Sequence, residues 1–413
     1  LDSAIGTAPH ARLNLEVARR SLVLLRNDGV LPLSGGFAAG RGGRASGGDA
    51  TRRRIAVVGP LADDAQTQLG DWAGGSGQAG WLEGQPRDMI TTVLDGLRAH
   101  APADWTITHA RGADILTVEP DPEGERFPDG QPRSPIVVPA APDERLIADA
   151  VADAERADYV VAVVGDRIEL VGEGRSTATL DLIGGQIALL DALAATGTPV
   201  IVVLMASKPL VLPQSALEAA ALVWVANPGM QGGRAIAELL LGLIEPGGRL
   251  PISFARHVGQ QPTYYNRIRG QHGDRYADLT QDPAFAFGEG LSYTRVEYDD
   301  LRVADEHVAA AGVVRAEVTV RNVGDRAVRE TVQAYVSDRV TSASWAEQEL
   351  KAFRQVVLEP GQAQRVGIEI PARELTIVDA AGRRIVEPGE FELRVGGSSR
   401  YGDQLRASFA VVP

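Results

Sequence analysis

The stretch YVVAVVGD, residues 159–166, is an unbroken run of small and β-branched apolar residues that ends in glycine and aspartate. A strand of this composition is typical of a parallel sheet covered by helices on both faces. Similar runs are RIAVVGP (54–60), PVIVVLM (199–205) and AALVWVAN (220–227), with WTITHARG (105–112) as a weaker fifth.

Helical periodicity separates these runs. It is clearest at Ile187, Leu190 and Leu193, and again at Ile236, Leu239 and Leu240. Alternating strands and helices predict an α/β sandwich with a mostly parallel sheet. We assign this domain to residues 1–290.

The pattern changes after about Tyr298, where apolar residues alternate with polar ones and turn residues separate the runs. The runs are VRAEVTVRN (314–322), TVQAYVSD (331–338), QRVGIEI (364–370) and EFELRVG (390–396). Regularly spaced alternating strands predict an all-β sandwich of immunoglobulin or fibronectin type III kind. We assign it to residues 291–413, with the join in AFGEGLSYT, residues 286–294.

Two segments are predicted to be loops outside the cores. Residues 34–54 are rich in glycine, serine and arginine, which favours a flexible excursion. Residues 119–135 are charged and rich in proline. Neither segment carries an evident site.

Composition limits the function further. The net charge of −13 disfavours a nucleic-acid partner, which calls for a basic surface. The absence of cysteine excludes disulfides, thiolate metal sites and a cysteine nucleophile. No apolar run reaches the roughly 20 residues that span a bilayer, so we expect a soluble protein without a membrane partner, either cytoplasmic or secreted. Because the sequence begins at Leu1, we also expect it to be part of a longer polypeptide.

Several familiar functional motifs are absent or lack the surrounding elements that their function requires. Residues 75–80, GSGQAG, match the G-x-G-x-x-G pattern, but the preceding strand ends about fifteen residues too early for a dinucleotide turn. The six histidines lack the short spacing of metal ligands, and no G-x-S-x-G elbow follows a predicted strand. We therefore predict no cofactor and no metal.

Glu173 lies in LVGEGRSTATLDLIGGQ, residues 170–186, after the strand at 159–166 and before a helix. Ligands of open α/β sheets bind at the carboxyl ends of strands, and long loops there are often functional. A glutamate between glycines is more typical of a solvated turn. Asp166 and Glu169 also compete as acids of this connection, so position alone does not assign a role to Glu173.

Seven segments in register resemble the C-terminal half of a family-3 glycoside hydrolase, and they extend through nearly the whole chain. They are ARLNLEVARRSLVLLRNDGVLPL (11–33), IAVVGPLADDAQTQLGDWAG (55–74), the segment around Glu173, NPGMQGGRAIAELLLGLIEPGGRLPISF (227–254), FAFGEGLSYTRVEY (285–298), QELKAFRQVVLEPGQ (348–362) and VEPGEFELRVGGSS (386–399).

The resemblance implies a retaining, exo-acting β-glycosidase in which Glu173 is the acid/base. Leu180 and Leu182 follow at the expected distance, whereas Ser176 and Thr177 stand where Asp-Arg is common, Arg175 is shifted, and Ile183 replaces a proline. Trp72 and Arg175 are candidate substrate-binding residues. For Trp72, packing under a loop is an equally good interpretation.

The nucleophile is expected elsewhere. In the family it lies in an S-D-W-type motif on a barrel domain, and the pair Asp71-Trp72 falls in a segment that matches the second domain instead. The implied partners are therefore a β-glucoside or oligosaccharide and a barrel domain or chain. Self-association into a homo-oligomer stays open.

Two alternatives remain at this stage. The chain could be a non-catalytic carbohydrate-binding or structural module, or the enzyme could act on a β-xyloside or an N-acetyl-β-glucosaminide. The segment YNRIRGQHGDRYAD (265–278) favours a β-glucosidase.

Overall fold

The protein is described by a computed structural model that covers residues 7–34, 52–70, 87–133, 135–172, 175, 177–268, 270 and 275–413. Its contacts divide the chain into two compact units, Leu1–Ile244 and Glu245–Pro413. Each unit has its own sheet system and is described by itself.

The first unit alternates strands and helices. In chain order the described elements are α1 (Ala8–Ser21), β1 (Val23–Asn27), β2 (Arg54–Val58), α2 (Val93–His100), β3 (Thr106–Ala110), β4 (Leu116–Glu119), β5 (Ile136–Pro139), α3 (Glu144–Ala154), β6 (Tyr159–Gly165), α4 (Gln186–Ala195), β7 (Val200–Met205), α5 (Gln214–Leu217), β8 (Ala221–Trp224) and α6 (Gly232–Leu240).

Six of these strands form one sheet in the order β1-β8-β7-β6-β2-β3. All neighbours are parallel except β1, which pairs antiparallel with β8. Every residue of β6, β7 and β8 is buried, as expected for strands covered on both faces. The predicted α/β sandwich with a mostly parallel sheet is confirmed. The antiparallel edge strand β1 was not predicted.

Helix ends follow local chemistry. Thr92 and Asp95 form a capping box at the start of α2, and Asp143 accepts two backbone N–H groups at the start of α3. The helix α1 is tied to α6 by two hydrogen bonds from Arg19 to the buried Glu238, of 2.6 and 2.7 Å.

The second unit is all-β apart from short 3₁₀ turns. Its described strands are β9 (Val296–Val303), β10 (His307–Ala309), β11 (Val313–Asn322), β12 (Val328–Asp338), β13 (Glu349–Leu358), β14 (Ala363–Pro371), β15 (Ile377–Val378), β16 (Arg384–Ile385), β17 (Gly389–Gly396) and β18 (Leu405–Val412).

Two sheets, β10-β18-β17-β12-β13 and β14-β11-β9, enclose the core of this unit. In β11 buried and exposed residues alternate, which is the pattern expected of a strand with one face on the core. The predicted β-sandwich is confirmed.

Residues 245–290 belong to the second unit by their contacts, although we assigned them to the first domain. Arg249 forms an ion pair of 2.8 Å with the buried Glu330 of β12, and the ring of Tyr265 stacks on Phe287 at 4.1 Å and meets Tyr335 of β12 edge-on. The C-terminal parts of β12 and β17 are consequently buried on both faces. The division at residue 244 thus differs from the predicted one at residue 290, which stays a prediction.

The two predicted loops have different outcomes. Residues 119–133 connect β4 to β5 and are mostly exposed, as predicted. Residues 35–51, most of the other predicted loop, lie outside the described part of the chain, as does GSGQAG at 75–80.

Among the described residues, no helix is both long and apolar enough to cross a membrane.

Candidate active site

The connection between β6 and α4 lies at the carboxyl edge of the parallel sheet and comprises residues 166–185. Glu173, Gly174 and Ser176 of this connection lie outside the described residues, as does Trp72. The geometry that follows is that of the described residues of this connection. We call residues 166–185 the acid loop.

Asp166 begins the acid loop and is almost completely buried, with 3% of its surface exposed. Its backbone N–H donates to the carbonyl of Met205 at the end of β7, at 3.0 Å. Its carboxylate lies 3.5 Å from the Nζ atom of Lys208. Burial raises the pKa of Asp166, and the charge of Lys208 opposes that shift. A carboxylate this enclosed cannot reach a sugar, which removes Asp166 as the proton donor.

Lys208 follows β7 and reaches across to the acid loop. Its ammonium donates to the carbonyl of Leu170 at 3.2 Å and to the hydroxyl of Thr177 at 2.9 Å. The Thr177 hydroxyl in turn donates to the carbonyl of Thr179 at 2.9 Å. Lys208 therefore links the residues on both sides of Glu173.

Glu169, a second acid of the loop, is paired. The guanidinium of Arg167 donates two hydrogen bonds to its carboxylate, of 3.0 and 2.5 Å. The pair joins Arg167, just before the short 3₁₀ turn at Ile168–Leu170, to Glu169 within it. Both side chains are only partly exposed. Arg175, a candidate substrate residue, is half-buried, and its backbone N–H donates to the carbonyl of Gly172 at 3.3 Å.

The far end of the acid loop is fastened by Gln186, which is fully buried. Its side-chain amide donates to the carbonyls of Gly165 and Ile183, at 2.9 and 2.8 Å, and its Oε1 atom accepts the N–H of Gly165 at 2.8 Å. Gly184 has φ of 77°, and a Cβ atom there would lie 2.3 Å from the carbonyl oxygen of Ile115. Only glycine fits that close approach.

Sequence patterns singled out Arg175 and the competing acids, but they missed Lys208 and Gln186. One signal was available for Lys208, because the chain has 41 lysine and arginine residues and only Lys208 and Lys351 are lysines. In the described part of the chain, no group of three histidine, aspartate or glutamate side chains could hold a metal ion.

An α/β sandwich with a long acid-bearing loop at its carboxyl edge, followed by a fibronectin-like sandwich, defines the class of the chain as the C-terminal portion of a glycoside hydrolase. The model of the glycosyl hydrolase family 3 C-terminal domain matches residues 22–293, and that of the fibronectin type III-like domain matches residues 330–399. The chain belongs to glycosyl hydrolase family 3.

Three relatives illustrate the match. A β-xylosidase of Formosa agariphila is 33% identical over 98% of this chain and 51% of its own length. A periplasmic β-glucosidase of Salmonella typhimurium is 33% identical over 97% and 50%. The solved structure of a β-glucosidase involved in saponin metabolism, from intestinal bacteria, is 54% identical with a TM-score of 0.92, over 100% of this chain and 55% of its own. The chain spans about half the length of these relatives.

Proposed function

We propose that the chain is the acid/base-bearing half of a retaining, exo-acting β-glycosidase that hydrolyses terminal non-reducing β-D-glucosyl residues. The observation that carries this proposal is the position of Glu173, on a 20-residue loop at the carboxyl edge of a parallel sheet in a family 3 chain. Of the other acids of that loop, Asp166 is buried beside Lys208, Glu169 pairs with Arg167, and the exposed Asp181 accepts a hydrogen bond from Thr179.

The chemistry needs two carboxyl groups about 5 Å apart. Glu173 gives its proton to the glycosidic oxygen while a carboxylate of the barrel attacks the anomeric carbon, which forms a covalent glycosyl-enzyme and releases the leaving group. Glu173 then takes a proton from water, whose oxygen attacks the same carbon and frees the sugar and the nucleophile. We propose that this nucleophile is carried by an N-terminal barrel domain or a separate chain.

Glucose is the proposed sugar because the Salmonella typhimurium relative and the 54% identical solved structure are both β-glucosidases. The β-xylosidase of Formosa agariphila makes a β-xyloside the second candidate. The half-buried Arg175 and, beyond the described residues, Trp72 are proposed to contact the sugar. An arginine can donate to hydroxyl groups, and an indole ring can stack on a pyranose face.

The test compares Glu173→Gln and Glu173→Ala with the unchanged enzyme, in the parent polypeptide or in this chain combined with its barrel. Aryl β-glucosides with poor and good leaving groups serve as substrates. We expect kcat/KM, which reports the glycosylation step, to fall about 10²- to 10⁴-fold on a poor leaving group and much less on a dinitrophenyl glucoside, whose departure needs no protonation, whereas kcat on the dinitrophenyl glucoside should fall because Glu173 no longer activates water. Azide should restore the alanine variant on the activated substrate.

Asp181→Asn is the matched control, since it removes an exposed carboxylate of the same loop. It should keep the activity of the unchanged enzyme on both substrates. Full activity of Glu173→Gln on the poor leaving group would remove Glu173 as the acid. Binding of glucosides without any hydrolysis would point to a carbohydrate-binding module instead.

A further inference from the structure

The Lys208 ammonium contacts three oxygen groups from separate parts of the acid loop. It donates to the carbonyl of Leu170 at 3.2 Å and to the hydroxyl of Thr177 at 2.9 Å, and it forms an ion pair of 3.5 Å with the carboxylate of Asp166. The side chain of Lys208 is 24% exposed.

The presence of a lysine rather than an arginine at position 208 is informative. This chain otherwise uses arginine almost throughout, with Lys351 as its one other lysine. An ammonium is a compact charge whose donors point in three directions, whereas a guanidinium is a flat fork suited to paired oxygens. A lysine at position 208 fits two hydrogen-bond acceptors and one carboxylate that come from three different places in the loop.

The two loop contacts lie on opposite sides of Glu173. Leu170 precedes Glu173 by three residues, and Thr177 follows it by four. A common donor therefore fixes the separation of Leu170 and Thr177. Restricting the ends of a short segment lowers the number of conformations it can adopt.

We propose that Lys208 is a positioning residue, held by Asp166, that sets the placement of Glu173 by fastening Leu170 and Thr177 on either side of it. The inference rests on the proposed function of Glu173. Lys208 itself touches no reacting atom. Proton donation depends on the distance from the donor to the glycosidic oxygen, and a displacement of about 1 Å can cost about 10²-fold in rate.

The simpler role for Lys208 is to neutralise the buried carboxylate of Asp166. The two roles differ in what Lys208→Met changes. Loss of charge balance alone would weaken folding while leaving the ratio of rates on poor and good leaving groups unchanged. Loss of positioning would change that ratio, because only the poor leaving group depends on the proton from Glu173.

The first arm of the test measures backbone amide exchange of the full chain by mass spectrometry. We expect exchange in peptides covering 167–180 to become about tenfold faster in Lys208→Met, with the rest of the first unit unchanged. Lys351→Met is the matched control. Its lysine pairs with Glu349 on β13, in the other unit.

The second arm measures kcat/KM on the two aryl β-glucosides in the barrel-containing enzyme. Lys208→Met should lower kcat/KM about 10- to 100-fold on the poor leaving group and less than about threefold on the activated one, because only the first needs the proton from Glu173. Lys208→Arg keeps the charge but has the wrong donor geometry, so it should restore folding and only part of the rate.

Thr177→Val provides a milder change in case Lys208→Met does not fold, since it removes one acceptor and keeps the ion pair. It should show the same effects on exchange and on the rate ratio at a smaller size. The inference would be overturned if Thr177→Val and Lys208→Arg both kept the amide exchange and the rate ratio of the unchanged enzyme. Full activity of Glu173→Gln would overturn both the proposed function and the inference. A large loss of activity in Glu173→Gln, together with unchanged activity in the Lys208 variants, would overturn the inference alone.

Discussion

At the scale of single residues, the buried side-chain amide of Gln186 holds the two ends of the acid loop. Gln186 closes three hydrogen bonds with the backbone of Gly165 and Ile183, at the point where β6 ends and α4 begins. A buried backbone N–H or carbonyl without a partner costs about 1–3 kcal/mol. The side-chain amide of Gln186 therefore holds both ends of the acid loop in place.

We expect Gln186→Met to lower the free energy of unfolding of the first unit by about 3 kcal/mol, because it leaves the N–H and carbonyl of Gly165 without this partner in a dry environment. Chemical denaturation followed by tryptophan fluorescence measures the change. Gln214→Met, on the exposed side of α5, is the control and should change stability by less than about 0.5 kcal/mol. A loss below about 1 kcal/mol in Gln186→Met would show that water replaces the amide.

At the scale of elements, charged pairs fasten the helices that cover the sheet. Glu238 of α6 accepts two hydrogen bonds from Arg19 of α1 and another from Arg234, at 2.9 Å. Burial raises the pKa of Glu238, but the hydrogen bonds and charges of the two arginines outweigh burial and leave the pKa lowered. The ionised form is thus favoured in the folded state, and its contribution depends on pH.

A group with a lowered pKa stabilises the fold fully above its unfolded pKa, here about 4.5, and loses that contribution as the pH falls through the folded value. We therefore expect Glu238→Gln to destabilise the first unit by about 2 kcal/mol at pH 7 and by progressively less below about pH 4.5. Urea denaturation across this pH range tests the slope. Asp191→Asn, which removes an exposed carboxylate on α4, should show neither effect, and a constant difference at all pH values would contradict the ionic explanation.

At the scale of the whole molecule, the sandwich of the second unit depends on the segment that precedes it. Residues 245–290 supply Arg249 to the buried Glu330, and the carbonyl of Gly288 accepts a hydrogen bond of 3.1 Å from the buried Gln333. The hydroxyl of Tyr298 also donates to Glu330, at 2.6 Å. Removing the segment would leave a carboxylate buried without its cation, which is strongly destabilising.

We therefore expect a polypeptide of residues 245–413 to fold and one of residues 291–413 to fail. The first should unfold cooperatively on heating, as followed by circular dichroism, whereas the second should aggregate or unfold without a clear transition. Arg249→Met in the longer polypeptide should cost about 3–5 kcal/mol, and Arg256→Met, at an exposed position, should cost little. Cooperative folding of residues 291–413 would instead support the boundary predicted at residue 290.

The sequence by itself determined both fold classes, because local composition reports burial directly. The unbroken runs at 159–166 and 199–205 became strands buried on two faces, and the alternation at 314–322 became a strand buried on one. It also placed Glu173 on a long loop. These features depend on residues adjacent in the chain, so no knowledge of distant neighbours was needed.

Tertiary structure alone decided which distant groups meet. Lys208 lies 38 residues from Leu170 and 31 from Thr177, and it reaches them because β7 is the parallel neighbour of β6. Likewise, the C-terminal part of β12 is buried on both faces because residues 245–290 cover it, although apolar and polar residues alternate in its sequence. Hydrophobic periodicity records whether a position is buried. It does not record which strand or segment lies beside it, since that choice is made by packing over the whole unit.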